Sequence, residues 1–343
     1  MDYIVVKGPE VMERAGVKDG RENKTRARAP RRFFAPPPTP PTAPTHPLAA
    51  PIPPLHSSQS SSATVYLHGA HVTSWTSLAG EELLFMSDQA VFAPPKALRG
   101  GVPICFPQFS DMGPMAAQHG FARNTAFAVD GGAPDNGPSK VTLLLDHPGS
   151  PAFPHPFQLR VVVGLRAPDG ALVQRLRVTN TAGGGAAGAP GGDASDAATA
   201  GPLPFTAALH TYFRVGDIAA TTVVGLGPGG RFLDSTAGRA EAVDGAAALA
   251  FDREVDRIYL SPPGPLVVVD GVAGRRVRIA TDGLVDAVVW NPWAAKAAAL
   301  ADFGDEDYKR MVCVEPAAVS GGGGVAGLGV GETWEGGQTL VVE

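Results

Sequence analysis

The chain has 343 residues, of which 43 are Gly and 33 Pro, and only 18% are charged; so many turn formers exclude a helical bundle or coiled coil and favour short strands joined by turns. A formal charge of −5 excludes the broad basic field of a nucleic-acid binder, and no apolar run reaches the ~18 residues that span a membrane as a helix. Cys105 and Cys313 each sit in an apolar run, cannot build a disulfide framework, and read as buried reduced thiols of a soluble, intracellular, single-domain protein.

Residues 1–62 read as a disordered arm. Eleven prolines fall between Pro30 and Pro54, a polar run Ser57 to Ser62 follows, and a basic stretch Arg21 to Arg32 precedes them. Prolines at this density deny the backbone its donors and favour extended, solvated chain. The arm carries a net charge of +4 and could direct import into a plastid or other organelle, but Asp2, Glu10, Glu13, Asp19 and Glu22 are unlike a transit peptide, which avoids acids. The expected location is therefore the cytoplasm, with import as the alternative.

Residues 63–343 read as one all-β domain. Strand-like stretches run Ala63 to Trp75, Val141 to Leu145, Phe157 to Arg166, Ala171 to Thr179, Pro265 to Val269, Arg275 to Ala280 and Asp286 to Trp290. They are rich in β-branched residues and bounded by Gly, Pro, Asp or Asn. Asp169-Gly170 marks a hairpin turn, and the alternation of Leu172, Gln174, Leu176 and Val178 marks a half-buried strand. One short helix is expected around Ala294 to Ala301. Ala182 to Pro202 reads as a low-complexity loop insertion, and Gly321 to Gly324 as a glycine run. Both contain G-x-G-x-x-G, yet neither follows a strand and opens a helix as a dinucleotide site requires.

Most of the eight histidines have unremarkable settings: His46, His56, His147 and His155 lie beside prolines or in polar loops, and His68 and His71 fall in the first strand. His119 differs, because it lies in Gln118-His119-Gly120-Phe121-Ala122-Arg123, after the Gly/Pro-rich segment Arg99 to Pro107. Irregular chain of this kind, held by a rigid sandwich, is where sites are built. His210 sits in the apolar strand Thr206 to Phe213, and Glu315 ends the apolar run Met311 to Val314. A carboxylate there needs a partner or a task, because burying it unpaired costs several kcal/mol, roughly. Asp256, in Val255-Asp256-Arg257, is either a further site residue or half of a surface ion pair. A carboxylate base and an imidazole acid in one pocket suit proton transfer at both ends of a substrate. No H-E-x-x-H and no C-x-x-C occurs, so no metal is expected, and no nucleophile elbow supports a Ser-His-Asp arrangement.

Seven segments together resemble one family: Val65-Tyr66-Leu67-His68-Gly69-Ala70-His71-Val72, Arg99 to Pro107, Gln118 to Arg123, Leu209-His210-Thr211-Tyr212-Phe213, Asp256 to Leu260, Trp290-Asn291-Pro292-Trp293, and Cys313-Val314-Glu315-Pro316. In this order they resemble the glucose-6-phosphate 1-epimerases, the hexose-6-phosphate mutarotase branch of the aldose 1-epimerase family. The resemblance implies a galactose-mutarotase-like β-supersandwich, no cofactor, and a small-molecule hexose 6-phosphate as substrate. It matches His210 to the general acid, Glu315 to the general base, Arg99, Gln118, Arg123 and Asp256 to substrate-binding positions, and His119 to a pocket residue of lesser role. Arg99 and Arg123 suit a phosphate bound through charge-assisted forks, unless one of them only neutralises Asp256 or Glu315. A monomer is expected. The alternatives are an epimerase of free aldoses and a carbohydrate-binding relic without catalysis. The strand usual before the Val65 segment is missing, or replaced by the arm.

Overall fold

The computed structural model describes residues 1–8, 60–183, 201–320 and 325–343. Most of the proline-rich arm, most of the Ala182–Pro202 insertion, both G-x-G-x-x-G runs in whole or part, and His46 and His56 lie outside the described residues.

Among the described residues, strands form two large antiparallel sheets of nine and eight members and smaller ones of three and two. The nine-stranded sheet is built on long strands with a two-residue period. In Phe157–Arg166, Phe157, Leu159, Val161 and Val163 are buried while Gln158, Arg160 and Val162 are half-buried. This strand pairs in full register with Ala171–Asn180, from Phe157 opposite Asn180 to Arg166 opposite Ala171. The loop between them ends on Asp169-Gly170, the hairpin signal of the sequence. Ala171–Asn180 pairs in turn with Thr333–Val342. One buried cluster draws Leu172 and Leu176 from this sheet and Val289, Met311 and Val312 from the eight-stranded sheet, so the core lies where both contribute apolar side chains. Each such side chain, fully buried, stabilises the fold by about 1.5–3 kcal/mol.

The eight-stranded sheet orders its members Ala240–Val243, Arg231–Asp234, Val255–Tyr259, Asp286–Asn291, Met311–Ala318, Ala207–Leu209 and Ile104–Cys105, with Tyr212–Arg214 also paired to Met311–Ala318. Asp286–Asn291 and Met311–Ala318 are buried at every position, which explains their near-continuous apolar sequence. Trp293–Ala298 is the one α-helix among the described residues. Asn291 fixes its start: its side-chain oxygen accepts from the Trp293 N–H at 2.9 Å, while its amide donates to the Tyr308 and Met311 carbonyls at 2.8 and 2.9 Å.

Two expectations are corrected. The stretch Ala63 to Trp75 is not one strand but a hairpin, Ser62–Tyr66 against His71–Thr76, turning through Leu67–Ala70. The edge strand expected to be missing is present at the start of the chain. Tyr3–Lys7 pairs antiparallel with Ser62–Tyr66, Tyr3 opposite Tyr66 and Lys7 opposite Ser62. Val6 is buried, and Tyr3 packs its ring 5.4 Å from Tyr66. The first eight residues therefore belong to the sandwich and not to an arm.

Candidate active site

Strand register brings the candidate residues together. Val288 lies opposite Glu315, Trp290 opposite Cys313, and Asp256 opposite Trp290. Residues paired across antiparallel strands, or two apart along one strand, share a face. Asp256, Val288, Trp290 and Glu315 thus share one face of the sheet, and all line a cavity of about 390 Å³. The same cavity is lined by Arg99, Gln118, His119, Arg123 and His210. All seven residues singled out in the sequence converge there.

His210 stands on a break. The segment read as one strand, Thr206 to Phe213, is two short strands, Ala207–Leu209 and Tyr212–Arg214, interrupted at His210-Thr211. The backbone is still satisfied, since the His210 N–H donates to the Pro103 carbonyl at 3.0 Å and the Thr211 N–H to the Leu209 carbonyl at 2.8 Å. The break turns His210 towards Glu315, with Nδ1 3.2 Å from Oε1. The contact lacks hydrogen-bond alignment, and among the described residues His210 Nδ1 and the other carboxylate oxygen, Glu315 Oε2, have no hydrogen-bond partner. Both side chains are nearly inaccessible, at 8% and 1%. Burial, aided by His119, Arg123 and Arg99, drives the imidazole well below its usual range. Burial, with Asp256 adding repulsion and Arg123 opposing, drives the Glu315 carboxyl well above its own. Two buried, unpartnered titratable groups in contact mark a functional site more often than a structural one.

His119 is held by the loop that carries it. It adopts φ +64°, followed by Gly120 at +66°, and a Cβ on Gly120 would lie 2.2 Å from the Phe106 carbonyl oxygen. Only glycine permits that approach. The Ser110 N–H donates to His119 Nδ1 at 3.2 Å, which leaves the ring proton on Nε2. Burial, with Arg123 and Arg99 nearby, pushes His119 down to about 3, so it serves as a neutral donor.

The two arginines have different duties. Arg99 donates from Nε to Asp302 at 3.1 Å and from Nη1 to the Tyr212 hydroxyl at 3.2 Å. It follows that Arg99 neutralises a carboxylate, though Asp302 and neither of the two that the sequence suggested. Its loop is braced by His71, a buried histidine whose Nε2 donates to the Gly100 carbonyl at 2.7 Å. Arg123 donates to the Gln118 carbonyl at 3.1 Å and, among the described residues, has no carboxylate partner. Asp256 lies 3.7 Å from Lys296 Nζ, and burial raises its carboxyl above the usual range, with Ser235 and Lys296 opposing.

Lys296, Arg239, Ser110, Ser235 and Trp290 also line the cavity, and sequence reading missed them as site residues. Arg239 and Lys296 come from a turn and a helix whose local patterns carry no chemical signature. Trp290 alone had one, in the Trp290-to-Trp293 segment. His147, whose sequence setting is unremarkable, packs its ring 4.8 Å from both Phe157 and Phe121.

A larger cavity, about 560 Å³, is lined by Met112, Met115, Phe153 and Phe205 among others. His155 is the one titratable group on its walls, so the smaller, polar cavity is the better candidate. One group of metal-type ligands occurs among the described residues: His210, Cys313 and Glu315, with ligand atoms within 4.8 Å of one another. Burial and the neighbouring Glu315 push the Cys313 thiol well up.

The aldose 1-epimerase family model matches residues 54–185 and 194–340. A Cenchrus ciliaris protein provisionally named glucose-6-phosphate 1-epimerase is 40% identical over 291 residues, covering 82% of each chain. A Salmonella typhimurium protein of the same provisional name is 35% identical over 262 residues, 74% of this chain and 78% of its own. Among solved structures, a provisionally named mutarotase from Salmonella typhimurium matches with TM-score 0.66 at 31% identity, covering 83% of this chain and 87% of that one. A galactose mutarotase-like protein from Lactobacillus casei shares the fold at TM-score 0.62 and 18% identity, covering 84% and 98%.

Proposed function

The chain belongs to the aldose 1-epimerase family, and from that premise we propose that it interconverts the α and β anomers of glucose 6-phosphate and related hexose 6-phosphates. The contact between His210 and Glu315 in a polar cavity, beside an arginine without a carboxylate partner, is the observation that carries this reading.

Mutarotation needs one proton removed from the anomeric hydroxyl and one delivered to the ring oxygen. The pair holds one proton, and in the microstate that reacts it sits on His210, so Glu315 takes the first and His210 gives the second. The C1–O5 bond breaks as the C1=O1 carbonyl forms, the C1–C2 bond rotates, and O5 attacks the other face of the aldehyde. On closure the groups exchange roles, so the pair returns to its starting protonation with no net proton consumed. A positioned acid and base of this kind typically contribute 10²–10⁴-fold each, roughly. His119, donating from Nε2, and Asp256 and Gln118 hold sugar hydroxyls. No step calls for a cofactor.

The cations argue for a phosphorylated sugar. A neutral aldose needs no fixed positive charge in its pocket, whereas a dianionic phosphate is bound well by guanidinium forks. Two of the relatives carry glucose 6-phosphate in their provisional names, which supports the same choice.

The test is exchange NMR of anomer interconversion, with glucose 6-phosphate and glucose offered separately, against a no-enzyme control and Glu315→Gln. Acceleration confined to the phosphate is the expected result. Acceleration of both sugars alike would make the protein a general aldose epimerase, and none of either would leave a sugar-binding relic.

A further inference from the structure

Four cationic side chains line the cavity, and they are not equally free to take an anion. Arg99 is committed to Asp302 and Tyr212. Lys296 lies 2.8 Å from Glu254 and 3.7 Å from Asp256. Arg123 has no carboxylate partner among the described residues, and its Nε is buried without an acceptor. Arg239 pairs with Asp111 and approaches the Ser110 hydroxyl at 3.5 Å, yet its own Nε is also buried without an acceptor. The Asp111 side chain is 57% exposed, and an exposed ion pair of this kind is weak enough for a bound anion to compete with it. Both guanidinium groups line one cavity, and an N–H left without an acceptor inside a protein is costly.

We propose that Arg239 is a second ligand of the substrate phosphate, acting with Arg123, and that Asp111 holds its guanidinium in place until the substrate arrives. This rests on the phosphorylated-substrate reading above and shifts the clamp from Arg99 and Arg123 to Arg123 and Arg239. Arg99, tied on two sides, then shapes the sugar end of the site. Arg239 follows the short 3₁₀ turn Ser235–Ala237, and Asp111 lies in the segment that carries Gln118 and His119. A phosphate held by both arginines therefore links two separate elements around the sugar.

Isothermal titration of glucose 6-phosphate, inorganic phosphate and glucose tests this directly, on the wild type and on Arg239→Met, Arg239→Lys and Asp111→Asn. Arg239→Met is expected to weaken both phosphate ligands by about 10- to 100-fold and leave glucose unchanged. Arg239→Lys should fall between, since it keeps the charge and loses the fork. Asp111→Asn should bind phosphate as tightly as the wild type or more tightly, because it releases the arginine. Wild-type phosphate affinity in Arg239→Met, equal losses for glucose and glucose 6-phosphate, or a loss in Asp111→Asn as large as that in Arg239→Met would each overturn the assignment. Binding is read without turnover, so a protein that binds phosphate through Arg239 but does not speed mutarotation would sink the catalytic reading alone.

Discussion

The Tyr212 ring lies flat against the His210 imidazole, 4.8 Å between centroids and 9° between planes, while its hydroxyl accepts from Arg99 at 3.2 Å. Trp290 stands edge-on to both rings, at 5.9 and 6.0 Å. The acid is thus clamped between aromatic faces, and its orientation is tied through one phenol to the loop that carries Arg99. Stacking and bonding can be separated. Tyr212→Phe keeps the ring and loses the Arg99 bond, so it should leave kcat within about threefold and raise KM for glucose 6-phosphate several-fold. Tyr212→Ala also frees the imidazole, and misplacement of a catalytic group by even an ångström costs on the order of 100-fold. Steady-state exchange rates for the two variants, with circular dichroism as the folding control, read this split; equal effects on kcat would mean the stack does not orient His210.

Glu315→Gln keeps the shape of the side chain and removes only its basicity. Expected is a fall in kcat of about 10²–10⁴-fold with substrate affinity little changed. A stability effect of opposite sign accompanies it. The folded-state pKa of Glu315 is raised, so the stability its neutral form provides is present below the unfolded-state value and lost as pH rises through the folded one. At neutral pH the glutamine variant should therefore melt at or above the wild-type temperature in scanning calorimetry. A lower melting temperature together with near wild-type turnover would remove Glu315 from the mechanism.

The same environment predicts a pH window. Turnover requires the pair to hold one proton. Below the lower limit both groups are protonated and there is no base; above the upper limit neither is, and there is no acid. Burial lowers His210 from 6.5 and raises Glu315 from 4.5, so the acid limb belongs below 6.5 and the alkaline limb lies well above 4.5, as properties of the coupled pair. The profile of kcat for glucose 6-phosphate, corrected with the Glu315→Gln background, should place its acid limb below 6.5. An acid limb centred at or above 6.5 would show a solvated imidazole and contradict the buried pair.

The proposed catalytic pair was legible in the sequence because each member offends its surroundings: His210 interrupts an apolar stretch, and Glu315 sits inside another. The arginines were legible as residues but not as roles, since only the folded structure shows that Asp302 occupies Arg99 while Arg123, among the described residues, has no such partner. Arg239 and Lys296 were invisible for a different reason. They reach the cavity from a turn and a helix, where an exposed basic residue is ordinary. Nor did Leu67-His68-Gly69-Ala70 announce a turn, since only Gly69 among them is a turn former.

The edge strand Tyr3–Lys7 was missed because its partner Ser62–Tyr66 lies more than fifty residues away, beyond the reach of any local pattern, yet the two meet at their ends: the Gly8 N–H donates to the Ser61 carbonyl at 2.8 Å. A linker of about four residues can therefore join Gly8 to Ser61. Replacing residues 9–60 with such a turn should give a folded protein with unchanged kcat. Closing a loop of four residues instead of about fifty also saves between three and four doublings of loop length, about 2 kcal/mol in favour of the shortened chain. Deleting residues 1–60 outright is expected to behave in the opposite way. It strips five backbone pairings and the buried Val6, exposes the edge of Ser62–Tyr66, and invites the edge-to-edge aggregation that unpaired strands suffer. Val6→Ala, which removes only the anchor, should cost about 2 kcal/mol. Denaturation midpoints and sedimentation of the three forms decide the matter, and an outright deletion as soluble and stable as the parent would show that Tyr3–Lys7 contributes nothing to the sandwich.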